Sequence, residues 1–229
     1  MDASAARRGS SRPVRWFGSL YLWACRRLYN EFAWSYDAAS WLVSAGHWAE
    51  WRRLALDYVE GSQVLEIGFG TGELLLEMAR RGLTGYGLDL SPAMQRITAG
   101  KLRRRRAEAP RVRGLAQRLP FADGSFDTLV STFPAEYIGD PASLRECARV
   151  LRGPAPGGRS GGRLVVVGLG VIVKNPWLRR LTPIFYGAPD DGHFRRWTEA
   201  LLQVGLRAQV LDRDVGGVTL PVLVAEKMA

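Results

Sequence analysis

Residues that build disulfide frameworks and metal clusters are scarce in this sequence of 229 residues. It contains two cysteines, Cys25 and Cys147, and two histidines. Two cysteines do not make a disulfide framework or a metal cluster, and they are typical of a protein kept in a reducing cytosol. We therefore expect no metal site and a cytoplasmic location.

Long apolar runs are also absent. No uninterrupted apolar stretch reaches the roughly 20 residues that a membrane-spanning helix needs. The first 15 residues are small, polar and arginine-rich, without the apolar segment of a signal peptide, and residues 1–12 are expected to be disordered. A hydrophobic fraction of 47% is enough for one sizeable core and a small appendage.

Lysine is rare, although the chain is basic. The net charge of +10 comes from 29 arginines and only 3 lysines, a bias that genomic base composition explains as well as selection for a polyanion does. The densest run, Arg103 to Arg106, falls late in a predicted helix, where cations complement the helix dipole. Two interpretations stay open for it: a solvated helix end, or a patch for phosphate or lipid headgroups.

Strand and helix patterns alternate after residue 60. Strands are predicted at 63–68, 84–89, 111–115, 126–131, 163–168, 206–211 and 220–225. Helices are predicted at about 38–59, 72–81, 92–106, 141–151 and 192–204. This alternation implies an α/β fold with a mostly parallel sheet, right-handed crossovers and helices on both faces. The last two strands have no helix between them, so they should form an antiparallel hairpin at one edge.

The first predicted strand ends in three alternating glycines, Gly68, Gly70 and Gly72. Glycine is needed where the backbone adopts positive φ or approaches a ligand closely. A ligand-binding turn at the carboxyl end of a strand is therefore predicted, the usual place for a site in an open α/β sheet. A simple turn in a fold without a ligand is the alternative.

The spacing of the glycines in this turn limits which class of ligand it can bind. A dinucleotide fingerprint needs a third glycine where this chain has Glu73, and the lysine of a phosphate-binding loop is absent. Glu66 precedes the first glycine by two residues, where it would repel a pyrophosphate and favour a cation. Asp89, at the end of the second strand, can accept hydrogen bonds from both ribose hydroxyls of a nucleoside. These residues together predict a nucleoside with a positive tail; for Asp89 alone, a helix-capping or turn role is the alternative.

Three segments resemble, in order and spacing, those of the class I S-adenosylmethionine-dependent methyltransferases: Val64–Gly72, Gly87–Met94 and Leu119–Asp127. With the helix Leu144–Leu151, the resemblance covers roughly residues 60–170. It implies S-adenosyl-L-methionine as cofactor and methyl transfer as the activity. It also implies a Rossmann-like sheet of seven strands in the order 3-2-1-4-5-7-6, with the last strand antiparallel.

The resemblance assigns roles to individual residues. It places Glu66, Gly68, Gly70 and Gly72 around the methionine part of the cofactor, Asp89 at the ribose, and Leu90 and Met94 against the adenine.

One position departs from the family pattern. Family members often have an aspartate that binds the adenine amino group where this chain has Leu115. We therefore expect Gln117 or the backbone of Ala116 to take its place.

Within the family, the segments Tyr29–Asp37 and Gly46–Arg52 resemble the small-molecule branch that includes the ubiquinone and menaquinone C-methyltransferases. The resemblance implies that Tyr36 belongs to a lid over the cofactor. The predicted organisation is a disordered tail at 1–12, an N-terminal helical lid at 13–59, and a cofactor-binding methyltransferase domain at 60–229.

The acceptor site is expected beyond the fourth strand, at Ser131 to Tyr137. Glu136 or Tyr137 could act as a base or hydrogen-bond partner, and His193 could accept a proton. The alternatives are that Glu136 is solvated, that Tyr137 packs under the next helix and that His193 only starts a helix.

Two aromatic, apolar stretches with flanking arginines, 14–29 and 169–186, suit the interface between a membrane and water. A small, apolar acceptor, such as a quinone or lipid, approached from the inner membrane surface is one hypothesis. The other is that both stretches pack as lids over the sheet.

Two further functions stay open. One is an RNA methyltransferase on the same fold, although we do not expect a nucleic-acid partner, because no separate RNA-binding module is visible. The other is a catalytically silent cofactor-binding subunit.

Overall fold

The computed structural model describes residues 44, 46–134, 136–154, 160–173 and 191–229. Several predictions lie outside these residues: the tail at 1–12, nearly all of the helical lid before residue 44, both Cys25 and Tyr36, the stretch 14–29, and residues 174–186 of the second aromatic stretch.

Eight strands form one mixed sheet. They are β1 Gln63–Ile67, β2 Thr84–Leu88, β3 Arg111–Val112, β4 Thr128–Thr132, β5 Arg163–Val167, β6 Ile172–Val173, β7 Leu206–Val215 and β8 Val218–Lys227. The order is β3-β2-β1-β4-β5-β8-β6, with β7 also paired to β8. Strands β1 to β5 are parallel to one another, and β8 is antiparallel to β5, β6 and β7. The predicted order and the antiparallel last strand are confirmed, with the short β6 added.

Helices connect the parallel strands. Those in the described residues are α1 Trp48–Arg53, α2 Glu73–Arg80, α3 Pro92–Arg105, α4 Pro141–Val150 and α5 Asp191–Gln203, with 3₁₀ helices at Leu54–Tyr58 and Glu136–Gly139. Ser91 and Asp140 cap α3 and α4, each followed by a proline that is pre-organised for the first helical turn. None of the helices in the described part of the chain is long and apolar enough to cross a bilayer.

The core lies on both faces of the sheet, because successive strand residues point to opposite sides. On β5, Leu164 and Val166 belong to one buried cluster, while Val165 and Val167 belong to the other. A strand buried on both faces reads as a continuous apolar run, which is why β5 was easy to locate in the sequence.

The β7–β8 hairpin is longer than predicted. Its pairing runs from Leu206 with Lys227 to Val215 with Val218, around the glycines at 216 and 217, which both have positive φ. The predicted strand at 206–211 ended too early because residues 212–214 are exposed and polar, so the apolar pattern stops while backbone pairing continues. β6 was not predicted; its two residues pair with Val218 and Thr219 at the tip.

The hairpin tip packs against the N-terminal side of the domain. Trp48 and Trp51 of α1 form a third buried cluster with Val171, Val218 and Leu220. The helix predicted at 38–59 is not continuous in its described part, because α1 ends at Arg53 and a 3₁₀ helix follows. The third cluster thus fixes α1 beside the carboxyl ends of the central strands.

Candidate functional site

The glycine turn follows β1 at the carboxyl edge of the parallel strands. Gly68, Gly70 and Gly72 have φ values of 79°, 53° and 77°, a conformation that costs other residues about 1–2 kcal/mol. A Cβ on Gly68 would overlap the Tyr137 hydroxyl, and one on Gly72 would overlap Thr98. The predicted turn is therefore present, and both its backbone angles and its surroundings require glycine.

Glu73 replaces the third glycine of a dinucleotide fingerprint, and the structure gives it a local partner. It opens α2 and forms an ion pair with Lys101 of α3, with a distance of 2.6 Å from Oε1 to Nζ. Glu73, whose presence disagrees with a dinucleotide fingerprint, thus links α2 to α3.

Glu66 is buried at the end of β1, with 2% of its surface exposed. Its Oε2 has no hydrogen-bond partner among the described residues. Burial raises the pKa of this carboxyl well above its usual value, Arg52 lowers that pKa and Asp89 raises it further. An unsatisfied buried carboxylate oxygen is costly, so this atom is available to a ligand.

A cavity opens in front of Glu66. Besides this residue, its lining is Trp48, Arg52, Gly68, Phe69, Gly70, Thr71 and Thr132. We call this the polar cavity. Arg52, Trp48 and Thr132 had no individual role in the sequence predictions, although they lie in the segments Gly46–Arg52 and Ser131 to Tyr137 that were singled out there. The position of α1 over the strand ends brings Arg52 and Trp48 to this cavity.

Asp89 lies at the end of β2 and organises the loop. Its Oδ2 accepts a hydrogen bond from the Gly70 N–H, and its Oδ1 accepts one from the Ser91 N–H, both at 2.8 Å. Burial raises the pKa of Asp89, and the two backbone hydrogen bonds, from Ser91 and Gly70, oppose that rise. Each oxygen keeps a lone pair, so both can still accept from a ribose hydroxyl.

A second cavity lies on the other side of the glycine turn. Its lining is Ile67, Gly68, Leu88, Asp89, Leu90, Gly114, Leu115, Ala116, Gln117 and Tyr137. We call this the apolar cavity. Leu90 and Leu115, which both line this cavity, are half exposed. The Oε1 of Gln117 is buried without a hydrogen-bond partner among the described residues, while its Nε2 donates to Asp140.

The other predicted site residues are distributed unevenly. Tyr137 lines the apolar cavity, and its hydroxyl donates to the Ile67 carbonyl at 3.4 Å. Met94 is fully buried in the core and lines neither cavity. His193 lies in the first turn of α5 and also lines neither cavity. The side chain of Glu136, like all of Tyr36, lies outside the described part of the chain. The catalytic roles of Glu136, Tyr137 and His193 therefore stay predictions.

The site fits S-adenosylmethionine. Gly68 belongs to both cavities, so they adjoin across the glycine turn. The unpartnered Glu66 oxygen suits an ammonium group in the polar cavity, and Asp89 suits a ribose at the junction. The half-exposed leucines and the amide oxygen of Gln117 suit the faces and amino group of an adenine. In the described residues, no group of three or more His, Cys, Asp or Glu side chains could hold a metal ion.

Comparison with known proteins agrees with this geometry. Residues 64–158 match a family model described as a methyltransferase domain. A demethylmenaquinone methyltransferase of Renibacterium salmoninarum is 35% identical over 135 residues, which are 58% of this chain and 54% of that protein. The chain thus spans about half the length of the curated relatives it matches.

Solved structures of other methyltransferases have a similar fold. A S-adenosylmethionine-dependent methyltransferase of Thermotoga maritima superposes with a TM-score of 0.60 at 19% identity, covering 88% of this chain and 98% of the other. A geranyl diphosphate C-methyltransferase of Streptomyces coelicolor, solved with S-adenosyl-L-homocysteine, gives a TM-score of 0.55 at 15% identity, covering 78% and 79%.

Proposed function

Since the chain belongs to the class I S-adenosylmethionine-dependent methyltransferases, we propose that it transfers a methyl group from this cofactor to a small, apolar, quinone-like acceptor. The observation that carries the donor half is the pair of adjoining cavities with Glu66 and Asp89 at the ends of neighbouring strands. The acceptor half is supported by the sequence similarity to demethylmenaquinone methyltransferases and by the aromatic side chains next to the polar cavity.

In this proposal the acceptor approaches along these aromatic side chains. Phe133 directly follows β4, and its ring lies 4.1 Å from the Trp48 ring, centroid to centroid, at 31° between planes. Phe133 has a φ of 47°, a rare conformation for a bulky residue, and strain of this kind clusters at binding sites. A wall of aromatic rings suits a flat apolar acceptor better than a charged one.

Methyl transfer from this cofactor requires little acid–base catalysis by the protein. S-adenosylmethionine carries its methyl group on a positive sulfur, and transfer is an in-line displacement that depends mainly on positioning. In this proposal Glu66 and Asp89 hold the two halves of the cofactor, and the glycine turn fixes the distance between them. Tyr137, whose hydroxyl lies beside Gly68, is proposed to act as a hydrogen-bond partner at the junction of the cavities.

The test is methyl transfer from labelled S-adenosylmethionine. The purified protein is incubated with a quinone that lacks a ring methyl group, with a lipid extract and, separately, with total RNA. We expect label in the quinone and in the lipid extract, and none in RNA. Label in RNA alone would replace this proposal with the RNA methyltransferase hypothesis. Binding of S-adenosylhomocysteine without any labelled product would favour the silent subunit. Asp89→Ala serves as the inactive control.

A quinone-like acceptor would reside in a membrane, and we propose a peripheral contact at the cytoplasmic surface. The segments assigned to it by the sequence hypothesis, 14–29 and 169–186, lie mostly outside the described residues. Flotation with anionic vesicles tests this part separately. Protein that stays at the bottom of the gradient would contradict the membrane contact and leave the methyl transfer itself untouched.

A further inference from the structure

Most of the net charge of the chain is concentrated in one segment. Residues 101–118 contain eight basic side chains and a single acidic one, Glu108, so they carry +7 of the formal net charge of +10. A bias in base composition explains why arginine is frequent in the chain. It does not explain why acidic residues are nearly absent from this one segment, so the distribution of the charge needs a separate explanation.

This segment follows one edge of the sheet. It runs from the last turns of α3, through a short connection, into β3, which ends the order of the described strands on that side. Arg103 to Arg106, at the end of the helix, are exposed. Arg113, directly after β3, is exposed as well, and Arg111 within β3 is partly exposed. We call these six arginines the basic edge.

The helix end of the basic edge is not neutralised by the fold. Other exposed arginines on helices form ion pairs, as Arg80 does with Glu77 and Arg195 with Glu199. In the part of the chain that the structure describes, Arg103 to Arg106 form no ion pair. Like charges three or four residues apart on a helix repel each other, a cost that the helix dipole or an external anion can offset.

The last of these arginines occupies a position that suits glycine better. Arg106 ends α3 with a φ of 50°, in the left-handed conformation that glycine adopts without strain. The chain therefore has a fourth consecutive cation at a place where glycine would relieve both backbone strain and charge repulsion. This is a second observation, independent of the net charge, that favours a partner for the cluster.

We propose that the basic edge docks the protein on the phosphate headgroups of an anionic lipid bilayer. The inference rests on the proposed function, because an apolar, quinone-like acceptor resides in a membrane. It goes further by assigning the contact to a surface other than 14–29 and 169–186. RNA fits this surface less well, because single-stranded RNA is bound by stacking on aromatic rings, and residues 101–118 contain no aromatic side chain.

The basic edge adjoins the cofactor site. The Nε of Arg113 donates a hydrogen bond to the Leu90 carbonyl at 2.9 Å, and Leu90 lines the apolar cavity. Leu115, two residues beyond Arg113, lines the same cavity. A protein docked through this edge thus keeps the carboxyl ends of its parallel strands close to the bilayer that would contain the acceptor.

Flotation of the whole chain with vesicles tests the inference. Wild-type protein should bind an equal mixture of phosphatidylglycerol and phosphatidylcholine more tightly than phosphatidylcholine alone, and added salt should release it. A variant with glutamine at all four positions from Arg103 to Arg106 should bind the anionic vesicles about 50- to 500-fold more weakly, at about fivefold for each arginine. Lysine at the same four positions should retain binding, because headgroups attract a point charge as well as a planar fork.

The matched control removes the same number of charges from other exposed positions. It combines Arg53→Gln, Arg145→Gln, Arg195→Gln and Arg207→Gln. We expect its affinity for anionic vesicles to change less than about threefold, since these side chains lie outside the basic edge. Equal losses in the two glutamine variants would reduce the effect to net charge and overturn the inference.

The remaining outcomes separate docking from catalysis. A wild-type protein that does not float, or that floats regardless of salt, would overturn the inference. If RNA is bound in place of vesicles and that binding is lost in the glutamine variant of Arg103 to Arg106, the basic edge belongs to a nucleic acid. Methyl transfer to a quinone dissolved in detergent should be unchanged in this variant, whereas transfer to a quinone in anionic vesicles should decrease with binding. A wild-type protein that floats but methylates neither quinone would contradict the proposed function and leave the docking in place.

Discussion

Two buried acids, Glu66 and Asp89, lie at the ends of the neighbouring parallel strands β1 and β2, and they differ in their hydrogen bonds. Both oxygens of Asp89 accept backbone hydrogen bonds, whereas Oε2 of Glu66 has no partner among the described residues. Asp89 therefore helps to build the loop as well as to bind. No hydrogen bond to Glu66 Oε2 from the described residues offsets its burial, and we therefore assign this oxygen to the ligand.

The same difference shows in the causes of the pKa shifts. Burial raises the pKa of both carboxyls. Backbone N–H groups of Gly70 and Ser91 oppose the rise at Asp89, while at Glu66 the opposing influence is the more distant charge of Arg52. A hydrogen-bonded acid stabilises its own structure, and an acid without such bonds costs stability until a ligand arrives.

Asp89→Ala should give the largest effect, because it removes a structural and a binding role together. Two buried N–H groups lose their acceptor, at about 1–3 kcal/mol for each, partly offset by removal of a buried charge. We expect a lower free energy of unfolding in urea and at least about 100-fold weaker binding of S-adenosylhomocysteine. Asp57→Ala, an exposed acid on the 3₁₀ helix after α1, is the control. Full stability in Asp89→Ala would contradict the structural role.

Glu66→Gln should separate the two properties. The amide keeps the shape but has no negative charge to form an ion pair with an ammonium group, so S-adenosylhomocysteine should bind about 10- to 100-fold more weakly. The ligand-free protein should become more stable at neutral pH, because a costly buried charge is gone. Calorimetric binding and thermal unfolding of the same samples check both halves. Loss of stability in Glu66→Gln would show that Glu66, like Asp89, supports the fold.

The pH dependence sharpens the same point. The pKa of Glu66 in the folded protein lies above its usual value of 4.5. Below pH 4.5 the carboxyl is protonated and its burial costs least stability. The free energy of unfolding then decreases as the pH rises through the raised pKa and the carboxyl becomes charged. The stability gain of Glu66→Gln should thus shrink as the pH falls. Ligand affinity should move the other way and decrease as Glu66 becomes protonated, by at most about tenfold per pH unit for one proton. Glu66→Gln should remove this part of the pH profile; a profile identical in the variant would assign it to another group.

Much of this arrangement could be read from the sequence. The three glycines, Glu66 and Asp89 were located by spacing alone, because a strand, a tight turn and a helix fix where those residues lie relative to each other. The buried strands were located by their apolar runs. Local patterns therefore predicted the side of the site that follows β1 and β2.

The rest depends on long-range packing. Arg52 and Trp48 reach the polar cavity only because the tip of the β7–β8 hairpin supports α1, a contact between residues far apart in the chain. Met94, in the first turn of α3, is buried in the core and lines neither cavity, so its predicted contact with the adenine stays a prediction. No local pattern distinguishes these cases, because helix periodicity does not say which element covers which face.

A substitution in the apolar cavity should have the smallest effect on ligand affinity. It can be compared with the substitutions at the charged end of the site. Leu115 is half exposed in the ligand-free chain, and it stands where the family often has an aspartate for the adenine amino group. If its side chain covers one face of the adenine, Leu115→Ala should weaken S-adenosylhomocysteine and 5′-methylthioadenosine, which lacks the amino-acid end, equally, by about 3- to 10-fold, as expected for the loss of about one to two buried CH₂ groups. Leu202→Ala is the matched control, because Leu202 is similarly exposed but lies on α5 and lines neither cavity.

The equal loss is the important part, since a charged contact at the amino-acid end affects only the ligand that carries that end. A loss confined to S-adenosylhomocysteine would place the amino-acid end, not the adenine, in the apolar cavity and would reverse the orientation proposed for the cofactor.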